Sequence, residues 1–492
     1  MKRNIEIVFG PPGTGKTEYL LRTAERYLKQ GIAPERIAFV SFSKRAVYEA
    51  ITRMCELFPG TSAESFPYFR TIHSLGFYLK GFRPGHVMDR AELLDFGKQY
   101  GYAFNGFLPE DKVNWGGTPE DRALATHLVH RARCNGTLYD QWCQTGGLRW
   151  SLLERLVPEY ERFKEANDLV DFADMVDLTR PYPPALLQAE ALIVDEAQDT
   201  SQAQWKFLRY VAQNVPNIHL AGDDDQTIYE WNGADASQLL AFAGDRKVLP
   251  VSHRLPRAVK HLADRVASRI GRRANKTYEP RDAEGSVESL RGYGYVPLDS
   301  GTWLLLARTN RQLGPMREWA RREGVVYTLP SGNWSWSEEC VQAAIQYERL
   351  RKGHSVSFRQ AKTVLRYLPY TRELEHKEKM GWEDVLPSGA DRDWTWMAAL
   401  TRMAAPDREY VRLLRSKGES LTEPGRVRIG TVHNMKGAEA ENVVLYTETS
   451  HRVHDEMKRN PDAELRVQYV AVTRASQRLF LLDGRGVYYW NF

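Results

Sequence analysis

The stretch IEIVFGPPGTGKTEYLLRTAERYLK, residues 5–29, constrains the fold of this chain more than any other. Ile5 to Phe9 read as a buried strand, and Leu20, Leu21, Ala24, Tyr27 and Leu28 recur at helical spacing behind a glycine-rich turn. Gly10-x-x-x-x-Gly15-Lys16-Thr17 therefore lies between strand and helix, the context its chemistry requires. Glycines let backbone N–H groups close around phosphate oxygens, and the helix N-terminus adds its dipole. Lys16 reaches the β- and γ-phosphates, and Thr17 ligates Mg²⁺. Gly10, Pro11, Pro12, Gly13, Thr14, Gly15, Lys16 and Thr17 are accordingly read as a nucleoside-triphosphate cradle in an α/β fold.

Such a cradle needs a carboxylate at the end of a second buried strand. AEALIVDEAQDTS supplies one: Ala191 to Val194 are apolar enough for a central parallel strand, which ends on Asp195 and Glu196. Asp195 is expected to share the Mg²⁺ shell with Thr17, and Glu196 to orient or deprotonate the attacking water, so hydrolysis is expected as well as binding. The window LAGDDDQTIYEW, from Leu220, is less direct. Three carboxylates suggest a hard-metal site, but in an extended segment alternate side chains diverge. On this window alone an acidic loop after a short strand is the better reading, with Asp223, Asp224 and Asp225 serving capping and turn formation.

At 492 residues and 42% hydrophobic, the chain has room for two or more domains. It lacks a signal-peptide pattern and any 18-residue apolar run, so a cytoplasmic protein with no membrane partner is expected. Four cysteines without a C-x-x-C pair read as ordinary thiols. The net charge of +5 permits a polyanionic partner without requiring one. Between Glu348 and Lys379, nine Lys/Arg stand against four Glu, a run read as a solvated helix face before a nucleic-acid contact.

With GPPGTGKT, LIVDEAQDTS and AGDDDQTIYEWNGA in order, the sequence resembles superfamily 1 helicases of the UvrD/Rep/PcrA type. FVSFSKRAVYEA, TIHSLGF, VSHRLPRAV, LLLARTNRQL, IGTVHNMKGAEAENVVL and ELRVQYVAVTRASQRLFLL extend the match in family order. The resemblance implies two RecA-like domains with parallel sheets, each interrupted by a mostly helical insertion. Residues 1–78 and 185–246 would form the first, with insertion 79–184. Residues 247–331 and 425–492 would form the second, its sheet pattern opening near Lys247, with a short insertion 332–424. ATP and Mg²⁺ are the implied cofactors, and single-stranded and tailed duplex DNA the implied partners, beside a replication or repair protein. Lys16, Asp195, Glu196, the γ-phosphate sensor Gln226 and the second-domain arginines Arg254 and Arg474 are implied as catalytic. Glu439 is implied at the nucleotide sugar. Phe42, His73, Tyr229, Trp231 and His433 are implied at bases, and Ser43, Thr71, Arg308, Asn310, Thr431 and Lys436 at the DNA backbone.

Three positions depart from the pattern. Only Met1 to Phe9 precede Gly10, where the family carries an adenine-reading glutamine segment; His253 stands where a tyrosine stacks on the base; and Asn232 replaces an arginine after Trp231. Weak discrimination among nucleoside triphosphates is therefore expected. The resulting reading is an ATP-dependent single-stranded DNA translocase and helicase moving 3′ to 5′. The alternatives are a nucleic-acid-stimulated ATPase without strong unwinding, or the motor of a recombination nuclease, which the short segment after the last motif disfavours.

Overall fold

Strand β1 (Asn4–Phe9) sends Ile7 and Phe9 to one face and Val8 to the other, and both faces are covered. This is what a continuous apolar strand in a parallel sheet requires. A computed structural model of the chain describes residues 3–105, 118–134, 137–144, 148–298, 300–418, 425–484 and 486–492. The first sheet adds β2 (Ile37–Ser41), β3 (Phe69–Thr71), β4 (Ala191–Val194), β5 (Asn217–Gly222) and β6 (Asp245–Val248). Its order is β3-β2-β4-β5-β1-β6, parallel throughout. The second sheet contains β7 (Ser286–Leu290), β8 (Trp303–Ala307), β9 (Tyr327–Thr328), β10 (Val427–Thr431), β11 (Ala440–Tyr446) and β12 (Ala475–Leu482). It is ordered β7-β12-β11-β8-β10-β9 and is also parallel. The two sheets and their helices match the α/β class read from the sequence.

The chain divides into two compact units. One comprises Met1–Leu255, Asp264–Asp282 and Arg459–Tyr469; the other comprises Pro256–Ala263, Ala283–Lys458 and Val470–Phe492. Two expectations are corrected here. The strand at Lys247 does not open the second sheet: it is β6, paired with β1 from Glu6↔Asp245 to Phe9↔Val248. Without it the outer edge of β1 would leave backbone groups unpaired, and a short charged strand is a standard edge cover. Arg246 and Lys247 lie over the rings of Phe9 and Tyr19, at 5.8 and 4.7 Å. Residues Arg459–Tyr469, expected in the second domain, pack in the first unit.

Both expected insertions are helical. In the first, helices Arg90–Tyr100, Pro119–Arg133 and Trp150–Ala166 close around Phe96, Leu124, Leu153, Leu156 and Tyr160. Beside this core lies a buried ionic cluster. Lys164 Nζ is 2.7 Å from both Asp171 and Asp174, and Arg131 is 2.8 Å from Asp174. In the second, Glu338–Arg351 packs on Phe358–Tyr367, each N-capped by a serine, Ser337 and Ser357. Several cations of its basic run are paired within it: Arg351 with Glu348, Arg366 with Glu339 and Lys377 with Asp384. Among the described residues no helix is long and apolar enough to cross a membrane.

Candidate active site and nucleic-acid-facing edge

In the first unit the loop after β1 and the end of β4 meet. Thr17 Oγ1 donates to Asp195 Oδ2 at 2.8 Å, so the hydroxyl and the carboxylate expected to share a cation are adjacent. Burial, then the neighbouring Glu196, pushes the Asp195 carboxyl up to about 6, while the Thr17 hydrogen bond opposes this. A buried carboxyl of this kind beside a hydroxyl suits a hard divalent ion, whose charge would favour the ionised form. Lys16 Nζ donates to the Gly10 carbonyl at 2.8 Å and so lies folded along the loop. A Cβ on Gly10 would fall 1.9 Å from Lys16 Cγ, so only glycine leaves room for the lysine.

Arg254 is in the same unit as this loop. The sequence expectation placed it in the second domain; instead, its segment lies on the cradle. Ser252 Oγ donates to the Pro12 carbonyl at 2.7 Å and the His253 N–H to the Gly13 carbonyl at 2.9 Å. Gly13 has φ +75°, and a Cβ there would lie 2.3 Å from Arg254 Cβ. Glycine at this position therefore serves the approach of Arg254 as well as the turn. The His253 side chain is exposed beside the loop.

Glu196 adopts φ 51°, ψ 41°, a left-handed conformation that costs a non-glycine residue roughly 1–3 kcal/mol. Its carboxylate accepts a hydrogen bond from Gln198 Nε2, and the other end of that amide accepts from the Asp223 N–H at 3.0 Å. The candidate base is thereby tied to the acidic loop. Gln226 Nε2 in turn donates to Asp223 Oδ2 at 2.7 Å.

The acidic triplet is fully buried. Asp223 accepts from the Asp225 N–H, the expected turn cap. Sequence reasoning missed the partners: Lys276 lies 2.6 Å from Asp223, 2.6 Å from Asp224 and 2.8 Å from Asp225, and Arg273 binds both oxygens of Asp225. Burial alone would raise the Asp223 carboxyl, but Lys276 and then Lys16 outweigh it and hold the group below its ordinary range. Burial raises Asp224, with Lys276 only partly offsetting it. The run GRRANK, some fifty residues downstream, carried a general signal, since buried carboxylates need cations, but no spacing rule joined the two.

The remaining first-unit candidates lie past the carboxyl ends of neighbouring strands, where parallel sheets bind ligands. Phe42 and Ser43 follow β2, Thr71 ends β3, His73 lies in the next helix, and Tyr229 and Trp231 follow β5. Phe42 and Tyr229 stack at 5.4 Å and 16°, and Trp231 meets Tyr229 edge-on at 6.0 Å. Ser43 and Thr71 also cap helices, accepting from Ala46 and Ser74 N–H groups. A cavity of about 560 Å³ opens beside them, lined by Phe42, Thr71, His73, Arg131, Phe172 and Tyr229. Trp231 is not part of that lining.

His73 Nε2 lies 3.3 Å from Gln204 Nε2, and its ring meets Phe172 edge-on. Desolvation lowers its pKa to about 4, with Asp171 opposing. The folded state thus prefers the neutral ring: its stabilising contribution is complete above the unfolded pKa of about 6.5 and is lost as pH falls through 4. Denaturant unfolding at pH 7 and pH 5 should show wild type losing about 1–2 kcal/mol more than His73→Gln over that interval. Equal losses would mean that His73 is solvated.

In the second unit, Arg308 follows β8, Asn310 begins the next helix and Thr431 ends β10, with Ala307 and Thr431 in register across the two strands. Thr431 accepts from the Asn434 N–H at 3.3 Å; His433 and Lys436 are partly exposed in the same turn. Glu439 is exposed. Arg474 is 2% exposed and donates to the carbonyls of Val470 at 2.9 Å and Ala438 at 3.3 Å.

Comparison with known proteins adds to this geometry. Residues 2–247 match the UvrD/REP helicase N-terminal domain, and residues 355–483 match the UvrD-like helicase C-terminal domain. The chain is similar to the putative ATP-dependent DNA helicase YjcD of Bacillus subtilis, 24% identical with 96% of this chain and 76% of that protein covered. It also resembles the ATP-dependent DNA helicase PcrA of the same organism, 24% identical over 69% of this chain and 50% of PcrA. A probable DNA helicase II homolog of Mycoplasma genitalium is 24% identical over 50% of this chain and 37% of its own length. The chain thus spans about half or less of the length of two of these three relatives. The N-terminal match covers the strand, cradle and acidic loop described above, and with the C-terminal match it places this chain in the UvrD/REP helicase family.

Proposed function

We propose that the chain is an ATP-dependent translocase on single-stranded DNA that unwinds duplexes in the 3′ to 5′ direction, coupled to Mg²⁺-dependent ATP hydrolysis. The observation that carries this reading is the sharing of one sheet edge. The cradle and Asp195 follow β1 and β4, while the Phe42–Tyr229 stack and its cavity follow β2, β3 and β5. Direction of travel rests on family resemblance. Relatives described as ATP-dependent DNA helicases support the substrate class.

In this reading Lys16 leaves the Gly10 carbonyl to meet the β- and γ-phosphates. Thr17 and Asp195 would hold Mg²⁺, which supplies neutralisation of phosphate charge. Glu196 takes the proton of the attacking water, with Gln198 fixing its carboxylate, and Gln226 senses the γ-phosphate. Arg254 and Arg474 stabilise charge on the transferred group, a role worth about 10³–10⁵ in turnover for an arginine finger. Glu439 contacts the sugar. Bases stack on Phe42, Tyr229, Trp231, His73 and His433, each stack worth about 1–3 kcal/mol. Ser43, Thr71, Arg308, Asn310, Thr431 and Lys436 hold the strand's phosphates without reading sequence.

Tailed duplexes of both polarities, with streptavidin displacement run in parallel, test the reading. Separation of 3′-tailed duplexes with DNA-stimulated hydrolysis is expected. Displacement of streptavidin without strand separation would reduce the activity to translocation. Imidazole at His253 offers less stacking area than a phenol ring, so kcat/KM for ATP and GTP should agree within about a hundredfold, a gap of about 2.7 kcal/mol.

A further inference from the structure

Hydrolysis at the cradle must be felt at the Phe42–Tyr229 edge if the protein is a DNA motor, and the acidic loop directly precedes both Gln226 and Tyr229 in sequence. Its three carboxylates are all buried, yet none binds the nucleotide in the reading above. What surrounds them is specific. Lys276, with its side chain 1% exposed, touches all three. Arg273 chelates Asp225, and the Ala274 N–H donates to Asp224 Oδ2 at 2.8 Å. Arg466 donates to the Asp224 carbonyl at 3.0 Å, to the Arg272 carbonyl at 2.8 Å and to Glu230 at 2.9 Å. Asp462 accepts from the N–H groups of Gly271 and Arg272. Two separated chain segments, 271–276 and 462–466, are thus clasped around one short loop.

The clasp reaches the chemistry through a single carboxylate. Asp223 accepts from Lys276 on one oxygen and from the Gln226 amide on the other, at 2.6 and 2.7 Å. Its backbone N–H is held by Gln198, which also holds Glu196. At the other end of the loop Glu230, bound by Arg466, lies between Tyr229 and Trp231 in sequence. A salt-bridged anchor of this type defines position sharply, because a buried carboxylate has few alternative partners.

We propose that Lys276, with Arg273, is a positioning residue that couples the γ-phosphate sensor to the base-facing aromatics, by holding the Asp223–Asp225 loop as one rigid body. The inference rests on the reading of the chain as a DNA-stimulated ATPase. It assigns Lys276 no contact with nucleotide or DNA.

The test compares wild type, Lys276→Arg, Lys276→Met and the double variant Lys276→Met/Asp224→Asn in the full chain. The double variant removes one buried negative charge along with the positive one, at a carboxylate 2.6 Å from Lys276. It guards against a single variant that does not fold. ATP turnover is measured with and without oligo-dT, together with KM for ATP, oligo-dT affinity and the ATP consumed per nucleotide moved. For the folded double variant we expect KM and oligo-dT affinity within about threefold of wild type, but DNA stimulation of kcat reduced at least tenfold. Lys276→Arg should recover part of the stimulation. A folded double variant stimulated as strongly as wild type overturns the proposal, as does a loss in which kcat falls only in proportion to folded protein. A wild-type chain whose turnover ignores DNA removes the functional reading itself, an outcome the variants cannot mimic.

Discussion

Lys16→Ala and Glu196→Gln are each expected to lower DNA-stimulated ATP turnover by about 10³-fold or more and to abolish unwinding, while binding of single-stranded DNA survives. The two changes fail for different reasons. In the proposed mechanism Lys16 carries the charge that reaches the terminal phosphates; it lies folded along its own loop, bonded to the Gly10 carbonyl. Alanine leaves the loop backbone intact but removes that charge, so nucleotide affinity should fall as well as kcat. Glu196 accepts from Gln198 and sits in a left-handed backbone conformation next to Asp195. Glutamine is close to isosteric and cannot take a proton, so nucleotide affinity should be retained and kcat alone should collapse. The Glu196 change also removes one of the charges that raise the Asp195 carboxyl. Equilibrium binding of a fluorescent ATP analogue, beside single-turnover hydrolysis, separates the cases. Equal loss of nucleotide binding in both variants would contradict the assigned roles, and loss of DNA binding in either would point to misfolding.

Lys164→Met is expected to produce the largest loss of stability, about 3–5 kcal/mol, because it strands buried carboxylates without changing side-chain volume much. Lys164 lies 2.7 Å from Asp171 and Asp174 and 3.2 Å from Glu161, with its side chain 3% exposed. Burial would raise the Glu161 carboxyl, but the His127 hydrogen bond, Lys164 and Arg131 together bring it down to about 2. In wild type its folded pKa is thus depressed: the stability it adds is present above about 4.5 and is lost as pH falls through 2. In the variant the stranded carboxylates take up protons more readily than in the unfolded chain, so the destabilisation should shrink as pH is lowered from 7 to 4. Hydrogen exchange across helix Trp150–Ala166 reads this locally, without assuming that a chain of two units unfolds in one step. A loss that stayed constant over that pH range would assign the effect to packing instead of charge.

The parts of the candidate site that were legible in the sequence are those whose chemistry is local. Gly10 to Thr17 announce a phosphate cradle because strand, loop and helix follow within one short stretch, and backbone N–H groups close around phosphate only in that order. Asp195 could be paired with Thr17 in advance because a carboxylate ending an apolar strand has one natural place in a parallel sheet, beside the first loop. Arg254 was harder. Its motif was readable, but its membership in the first unit follows from β6 covering the edge of β1, and a charged four-residue strand gives little periodic signal. The Asp223–Asp225 loop shows the limit most clearly. Sequence alone indicated a turn, and the turn is there, but the cations that neutralise it are Arg273 and Lys276, remote in the chain.

Motif order and strand patterning by themselves determined that this chain is a parallel α/β protein with a phosphate-cradle motif, and carried a family resemblance that implied its helical insertions. They could do so because hydrophobic periodicity and phosphate chemistry act over a few residues at a time. Only the tertiary structure decided which sheet takes Asp245–Val248, where Arg254 lies, and that Lys276 sits among three buried carboxylates. Those outcomes depend on unpaired strand edges and buried charges finding partners wherever the fold brings them, and burial makes an unmet partner expensive irrespective of distance along the chain.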